Sequence, residues 1–253
     1  MSNANEALVD GCDAKNIKAV KAALAEGADV NALDVEDTPA LILAIRSKSN
    51  PIIKLLLEQG ADANKADDYE ITPLGALAES LPDTALALLL VEHGANLTGG
   101  KKPPLHIAVT KPKREFAEFL LEQGVDINSR DEDEMTPLMI LCKSKRGEMS
   151  KTEVANAQWL VERGADVTCV DDVKATALHY AAASGTADFV QLLVDHGATI
   201  TRTTVNNATP MHYCMGTHFR DTKVWDLLLE LGNPLESDDG GSLLHSAVSS
   251  GNL

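Results

Sequence analysis

Aromatic residues make up only 4% of this 253-residue chain, so large rings cannot be the main material of its core. Leu, Ile, Val and Ala carry most of the 44% hydrophobic content, which suits closely packed thin helices. Basic residues are also scarce. There are 22 Lys and Arg against 38 Asp and Glu, a net charge of -16, which argues against general affinity for nucleic acid or an anionic membrane surface. A basic partner is easier to accommodate. The cysteines Cys12, Cys142, Cys169 and Cys214 form no C-x-x-C pair, so neither a zinc site nor a disulfide framework is indicated, and reduced thiols are expected.

Long apolar runs are missing as well. The longest, residues 85–91, is far too short to span a bilayer, and the start Met1-Ser2-Asn3-Ala4-Asn5 lacks the charged and apolar regions of a secretory signal. An intracellular, soluble chain is expected, cytoplasmic or nuclear. Phosphate-binding glycine loops, H-E-x-x-H and G-x-S-x-G are all absent. The acidic pairs Asp67-Asp68 and Asp171-Asp172 fall on turns with nothing to separate their pKa values, and the run Asp131-Glu132-Asp133-Glu134 lacks the spacing of a calcium loop. No catalytic residue, metal or cofactor is expected.

What the chain has is a repeat. Gly27-Ala28-Asp29 returns as Gly60-Ala61-Asp62, Gly94-Ala95-Asn96, Gly124-Val125-Asp126, Gly164-Ala165-Asp166, Gly197-Ala198-Thr199 and Gly232-Asn233-Pro234. An apolar pattern at helical spacing precedes most of these glycines, as in Phe189, Val190, Leu192 and Leu193. Glycine there can adopt the left-handed conformation that closes a helix. A second string opens another helix in each unit: Thr38-Pro39-Ala40-Leu41, Thr72-Pro73-Leu74-Gly75, Pro103-Pro104-Leu105-His106, Thr136-Pro137-Leu138-Met139, Thr176-Ala177-Leu178-His179, Thr209-Pro210-Met211-His212 and Ser242-Leu243-Leu244-His245. Thr caps the first turn, and Pro at the first helical position gives up no hydrogen bond.

These strings resemble the ankyrin repeat, a unit of about 33 residues carrying T-P-L-H-x-A. Residues 176–201 match it best, with His179, Ala181, Ala182, Gly185, Leu192, Leu193, Gly197 and Ala198 in place. The resemblance covers essentially the whole chain and implies an all-α repeat solenoid of stacked ankyrin repeats with short β-hairpin fingers. The expected organisation is one domain: a capping helix pair in 1–31, repeats at 32–64, 65–98, 99–128, 129–168, 169–201 and 202–235, and an incomplete unit at 236–253. Because that last unit lacks a second helix, either a fragment of a longer protein or a partner covering that end is expected.

The pattern is broken in places. Glu70, Glu134 and Lys174 stand where a glycine usually supplies positive φ, which predicts strain or another turn type, while Asn207 is a tolerable substitute. The finger around residues 98–102 is short, and about seven residues are added near 143–151. By the resemblance, His106, His179, His212 and His245 are struts between repeats. His93, His196 and His218 lie at or near helix ends, and Trp159 and Trp225 are expected to pack between repeats.

The resemblance also implies a protein partner that meets the finger tips and the exposed first-helix residues lining a concave face. Carried across, the candidate residues are Asp68, Tyr69 and Ile71; Glu132, Asp133 and Met135; Asp172 and Val173; Val205 and Asn206. Acids recur through the fingers at Asp34, Glu36, Asp37, Asp67, Asp68, Glu70, 131–134, Asp171, Asp172, Asp238 and Asp239. Apolar side chains stand among them at Val35, Tyr69, Ile71, Met135, Val173 and Val205. Apolar anchors ringed by charge have the composition of a partner site, and the expected partner is a basic protein segment. The alternative is that acidic tips keep the array soluble while Tyr69 and Met135 pack on the next finger. Basic residues in the inter-helix loops, Lys111, Lys113, Arg114, Lys143, Lys145 and Arg146, form a candidate anion patch at the opposite end.

Three functions follow as expectations. The first is a non-enzymatic interaction scaffold, the second the targeting or regulatory segment of a larger enzyme or signalling protein. The third is a substrate role, since Asn31, Asn64 and Asn128 resemble targets of asparaginyl hydroxylase. A monomer is the simpler expectation for the oligomeric state.

Overall fold

The computed structural model describes residues 3–80, 82–143, 149–215 and 222–232. They contain fourteen helices, divided between two compact units. The first unit comprises residues 1–108 and 113–125, the second 109–112 and 126–253.

In the first unit the helices are α1 (Asn3–Asp13), α2 (Ile17–Ala25), α3 (Ala40–Arg46), α4 (Asn50–Glu58), α5 (Pro73–Ser80), α6 (Thr84–Glu92), α7 (Pro104–Ala108) and α8 (Glu115–Glu122). First helices pack on first helices, α1 on α3, α3 on α5 and α5 on α7, and second helices follow with α2 on α4 and α6 on α8. Helix α4 shows why the sequence folds this way. Pro51 sits in its first turn, and Ile52, Ile53, Leu56 and Leu57 fall on one buried stripe. Burying each of those side chains contributes about 1.5–3 kcal/mol, set against the entropy of ordering the chain. The helix stops at Gly60, whose φ of +84° lets Gly60 N–H donate to Leu57 O at 3.0 Å and Ala61 N–H donate to Leu56 O at 2.9 Å. That paired closure recurs at Gly94 and Gly124.

The second unit contains α9 (Pro137–Cys142), α10 (Lys151–Glu162), α11 (Ala177–Ser184), α12 (Ala187–Asp195), α13 (Pro210–Met215) and α14 (Thr222–Glu230). Here α9 packs on α11 and α11 on α13, while α10 packs on α12 and α12 on α14. Leu138, Leu141, Leu160, Leu178, Phe189, Val190, Leu193 and Leu228 form its core. Segment 109–112 belongs to this unit because the buried Asn156 of α10 donates to Val109 O at 2.7 Å and to Lys111 O at 2.8 Å. Just before α10, Met149 is buried, and its N–H donates to Ser184 O at the end of α11 at 2.6 Å.

Neighbouring repeats are also joined outside the helices. Asn5, Asn31 and Asn64 each accept, through Oδ1, the N–H of Asp29, Asp62 and Asn96 at 2.7–2.9 Å, and Asn128 accepts that of Asp166 at 2.8 Å. The residues proposed for a substrate role therefore hold the ladder between repeats.

The fingers are tight hairpin turns closed by hydrogen bonds and carry no extended strands: among the described residues the bridge Leu33↔Pro39 is isolated, and no strand forms. One expectation requires correction: Thr38-Pro39 stands one residue out of register with the other helix starts. Pro39 is the N-cap of α3, whereas Pro73 and Pro137 lie inside α5 and α9, so Asp37 rather than Glu36 is the counterpart of Glu70. The expected incomplete unit, with Ser242-Leu243-Leu244-His245, Asp238 and Asp239, lies outside the described residues, as does His218.

Candidate partner-binding surface

Each finger is built the same way. Asp34, Asp67, Asp131, Asp171 and Thr204 start a turn in which the carbonyl accepts the N–H three residues on, at 2.9–3.3 Å, and the N–H donates to the carbonyl four residues on, at 3.0–3.2 Å. The residue that ends the turn is left-handed: Asp37, Glu70, Glu134, Lys174 and Asn207 have φ of 53–62°. This is the three-residue loop formed by a type I turn and a bulge, for which Asp at the start is favoured. Glu and Lys thus keep the turn type and bear the cost of about 1–2 kcal/mol for a side chain at positive φ. In the shortened finger Gly100 has φ +92°, and a Cβ there would lie 2.7 Å from Glu70 O, so no other residue fits.

The starting acids face inward. Asp67 Oδ1 accepts the N–H of Tyr69 at 3.0 Å and of Ile71 at 2.9 Å, while its Oδ2 takes Arg46 Nη2 at 2.6 Å. Asp34 caps Glu36 and Thr38, Asp131 caps Asp133 and Met135, and Asp171 caps Val173 and Ala175. These four carboxylates are internal parts of the fingers and not tip charges. The sequence signal was available in their fixed phase, three residues ahead of each left-handed position.

Of the predicted partner residues, Asp68, Tyr69, Glu132, Asp133, Asp172, Val205 and Asn206 are exposed and Val173 is half-buried. Ile71 and Met135 are not available at the surface. Each follows the left-handed residue, where the chain turns back toward its helix, and each is buried. The strongest apolar exposure is at Val35 (88%), Tyr69 (77%) and Val205 (51%), all on tips. In the second unit the tips are stitched together, with Asp172 N–H donating to Asp133 O at 3.3 Å and Val205 N–H to Val173 O at 2.9 Å.

Below the second unit's fingers, Ile140, Tyr180 and Tyr213 stand at the fourth position of α9, α11 and α13. Tyr213 meets Tyr180 edge-on at 5.8 Å and His179 at 5.3 Å. Tyr180 donates its hydroxyl to Asp171 Oδ2. Burial first, and then that bond, pushes the Tyr180 phenol well above its ordinary range. Sequence reasoning singled out neither tyrosine; Tyr180 is buried.

His179 is the strut expected of it. Its Nδ1 accepts from Thr176 N–H at 3.1 Å, so Nε2 carries the proton and donates to the next repeat's Arg202 O at 3.1 Å and Ala208 O at 3.2 Å. Desolvation lowers its pKa to about 4, against the opposing pull of those two carbonyls. His212 repeats the bond to Thr209, and His106 is buried. Trp159 is buried beneath the Arg163 guanidinium, 4.9 Å from its ring. The four thiols are free, and burial pushes that of Cys12 up to about 12.

Of the candidate anion patch, Lys145 and Arg146 lie outside the described residues. Lys143 reaches away from its loop. Its Nζ lies 3.7 Å from Met135 Sδ and 5.4 Å from the centre of the Tyr180 ring. The described residues include no helix long and apolar enough to cross a membrane and no His, Cys, Asp or Glu group able to hold a metal.

The family profile described as Ankyrin repeats (3 copies) matches residues 8–100, 84–156, 105–204 and 149–233. The chain belongs to the ankyrin-repeat family. Its structure is similar to the ankyrin repeat domain of human ASB11, with a TM-score of 0.71 and 27% identity over 90% of this chain and 98% of that one. In sequence it is 32% identical over 148 residues to human Ankyrin repeat and SOCS box protein 16, covering 56% of this chain and 32% of that protein. It is 30% identical over 122 residues to the Caenorhabditis elegans homolog of Transient receptor potential cation channel subfamily A member 1, covering 47% and 10%. The matched ankyrin segments thus make up a tenth to a third of those two relatives. An ankyrin repeat domain is in general a protein-interaction module.

Proposed function

We propose that this ankyrin array is a non-enzymatic interaction scaffold that binds a basic, partly apolar protein segment along its finger tips. The observation that carries the reading is the exposure of Val35, Tyr69 and Val205 beside exposed acids. Glu36, Asp37, Asp68 and Glu70 surround the first two, and Asp133 and Asp172 lie near the third. Apolar anchors supply most of the affinity in such a site, and the charged surround steers encounter and rejects acidic partners. The four free thiols suit a reducing compartment, so the scaffold acts inside the cell.

A second reading, the recognition segment of a larger regulator, is favoured by the small share of its relatives that the chain matches. The two readings assign the same surface the same task.

Titration calorimetry with an eight-residue peptide of alternating arginine and leucine, at low and high salt, tests the proposal. Wild-type affinity should fall steeply with salt. Asp133→Lys combined with Asp172→Lys, and Glu36→Lys combined with Asp68→Lys, should each weaken it at least about tenfold. Affinity and salt dependence that survive both pairs of reversals would refute it.

A further inference from the structure

We propose that the face of Tyr180 is a subsite for one cationic side chain of the partner, and that Lys143 occupies this subsite in the unbound chain. The inference rests on the reading above and adds to it a place, a chemistry and a built-in competitor.

Arg46 and Lys143 occupy equivalent positions in their repeats. Arg46 ends α3 and Lys143 follows α9, each six residues after the first residue of its helix, and in each case one second helix separates it from the finger of the next repeat. Arg46 reaches that finger and pairs with Asp67. The corresponding carboxylate, Asp171, is already taken, because its Oδ2 receives the Tyr180 hydroxyl and its Oδ1 receives two backbone N–H groups. The difference lies at the fourth helical position, where α5 has the small buried Ala76 and α11 has Tyr180. A tyrosine there fills the place a cation would take and offers its ring instead.

Lys143 accordingly rests on the ring, 5.4 Å from its centre, and makes no ion pair among the described residues. The ring is held still by its bond to Asp171 and by the edge of Tyr213. A fixed aromatic face that already attracts an ammonium, beside tips bearing Asp133 and Asp172, has the composition of a cation subsite. An exposed lysine holds such a face weakly and loses rotamer freedom in doing so. An arginine from the partner stacks on tyrosine with a planar, less hydrated group and is anchored by the rest of its chain, so it displaces Lys143.

The test uses the full chain and the same arginine–leucine peptide carrying a fluorophore, with binding read by anisotropy. Lys143→Ala should tighten binding roughly two- to fivefold, the ratio set by the contact of an exposed lysine with a mostly buried ring. Lys151→Ala removes an equal charge in the same unit without touching Tyr180, and should change binding less. Replacing the peptide's arginines with citrulline should abolish the gain, as should placing Lys143→Ala in a Tyr180→Leu background confirmed as folded by circular dichroism. Binding that depends on Asp133 and Asp172 yet is unchanged or weakened by Lys143→Ala overturns this inference alone. So does a gain no larger than that from Lys151→Ala. Failure of the wild-type chain to bind the peptide, or indifference to the Asp133 and Asp172 reversals, overturns the proposed function and this inference with it.

Discussion

Arg46 Nη2 meets Asp67 Oδ2 at 2.6 Å, an ion pair in which the acid is almost wholly buried and the base is not. The two ends should therefore respond differently. Asp67→Ala strips the bonds from Tyr69 N–H and Ile71 N–H as well as the pair, and should cost about 3 kcal/mol. Arg46→Ala should cost less than about 1 kcal/mol, because solvent screens the exposed end and Asp67 keeps its backbone partners. Urea denaturation of the two variants measures the gap.

The corresponding acid in the second unit predicts a rearrangement. In Tyr180→Phe, Asp171 Oδ2 loses its hydroxyl donor and becomes free to receive Lys143, as Asp67 receives Arg46. A crystal structure of the variant should show Lys143 Nζ within 4 Å of Asp171, the limit of an ion pair. In an Arg-rich partner assay the same variant should keep the aromatic face and lose the resident cation.

His179 sets a pH dependence. Its folded pKa of about 4 lies below the ordinary 6.5, so the unfolded chain binds the proton more readily. The stabilising contribution is complete above pH 6.5 and is lost as pH falls toward 4. A shift of this size corresponds to about 3 kcal/mol at most. Melting temperatures measured across that window should fall in the wild type, and His179→Asn, starting lower, should show a shallower fall.

Much of this architecture was legible because the requirements are local. Gly60 and Gly164 mark helix ends since the closure needs positive φ, and the phase of those glycines sets the repeat. The inward acids were harder to see. Asp67 and Asp68 are chemically identical in sequence, and only the turn decides that one caps the backbone while the other faces water. Ile71 and Met135 were misplaced for the same reason, as residues just past the turn that the chain carries back under the finger. The role of Tyr180 depends on Asp171 and Lys143 together, a relation among three residues that no spacing reveals.

Asn156 offers a separate check on packing. Its side-chain amide serves Val109 O and Lys111 O from a buried position in α10. Asn156→Leu should destabilise the chain by about 2–3 kcal/mol, since it leaves two carbonyls without that donor. Hydrogen exchange should then rise in residues 109–112 before it rises in α12.

The most direct test of the proposed binding surface is hydrogen exchange on the full chain with and without saturating arginine–leucine peptide. Protection should gather on the tips at 34–38, 67–71, 131–135, 171–175 and 204–208 and leave the outer second helices α4, α10 and α12 unchanged. Protection confined to those second helices, with tips exchanging as freely as before, would contradict the account.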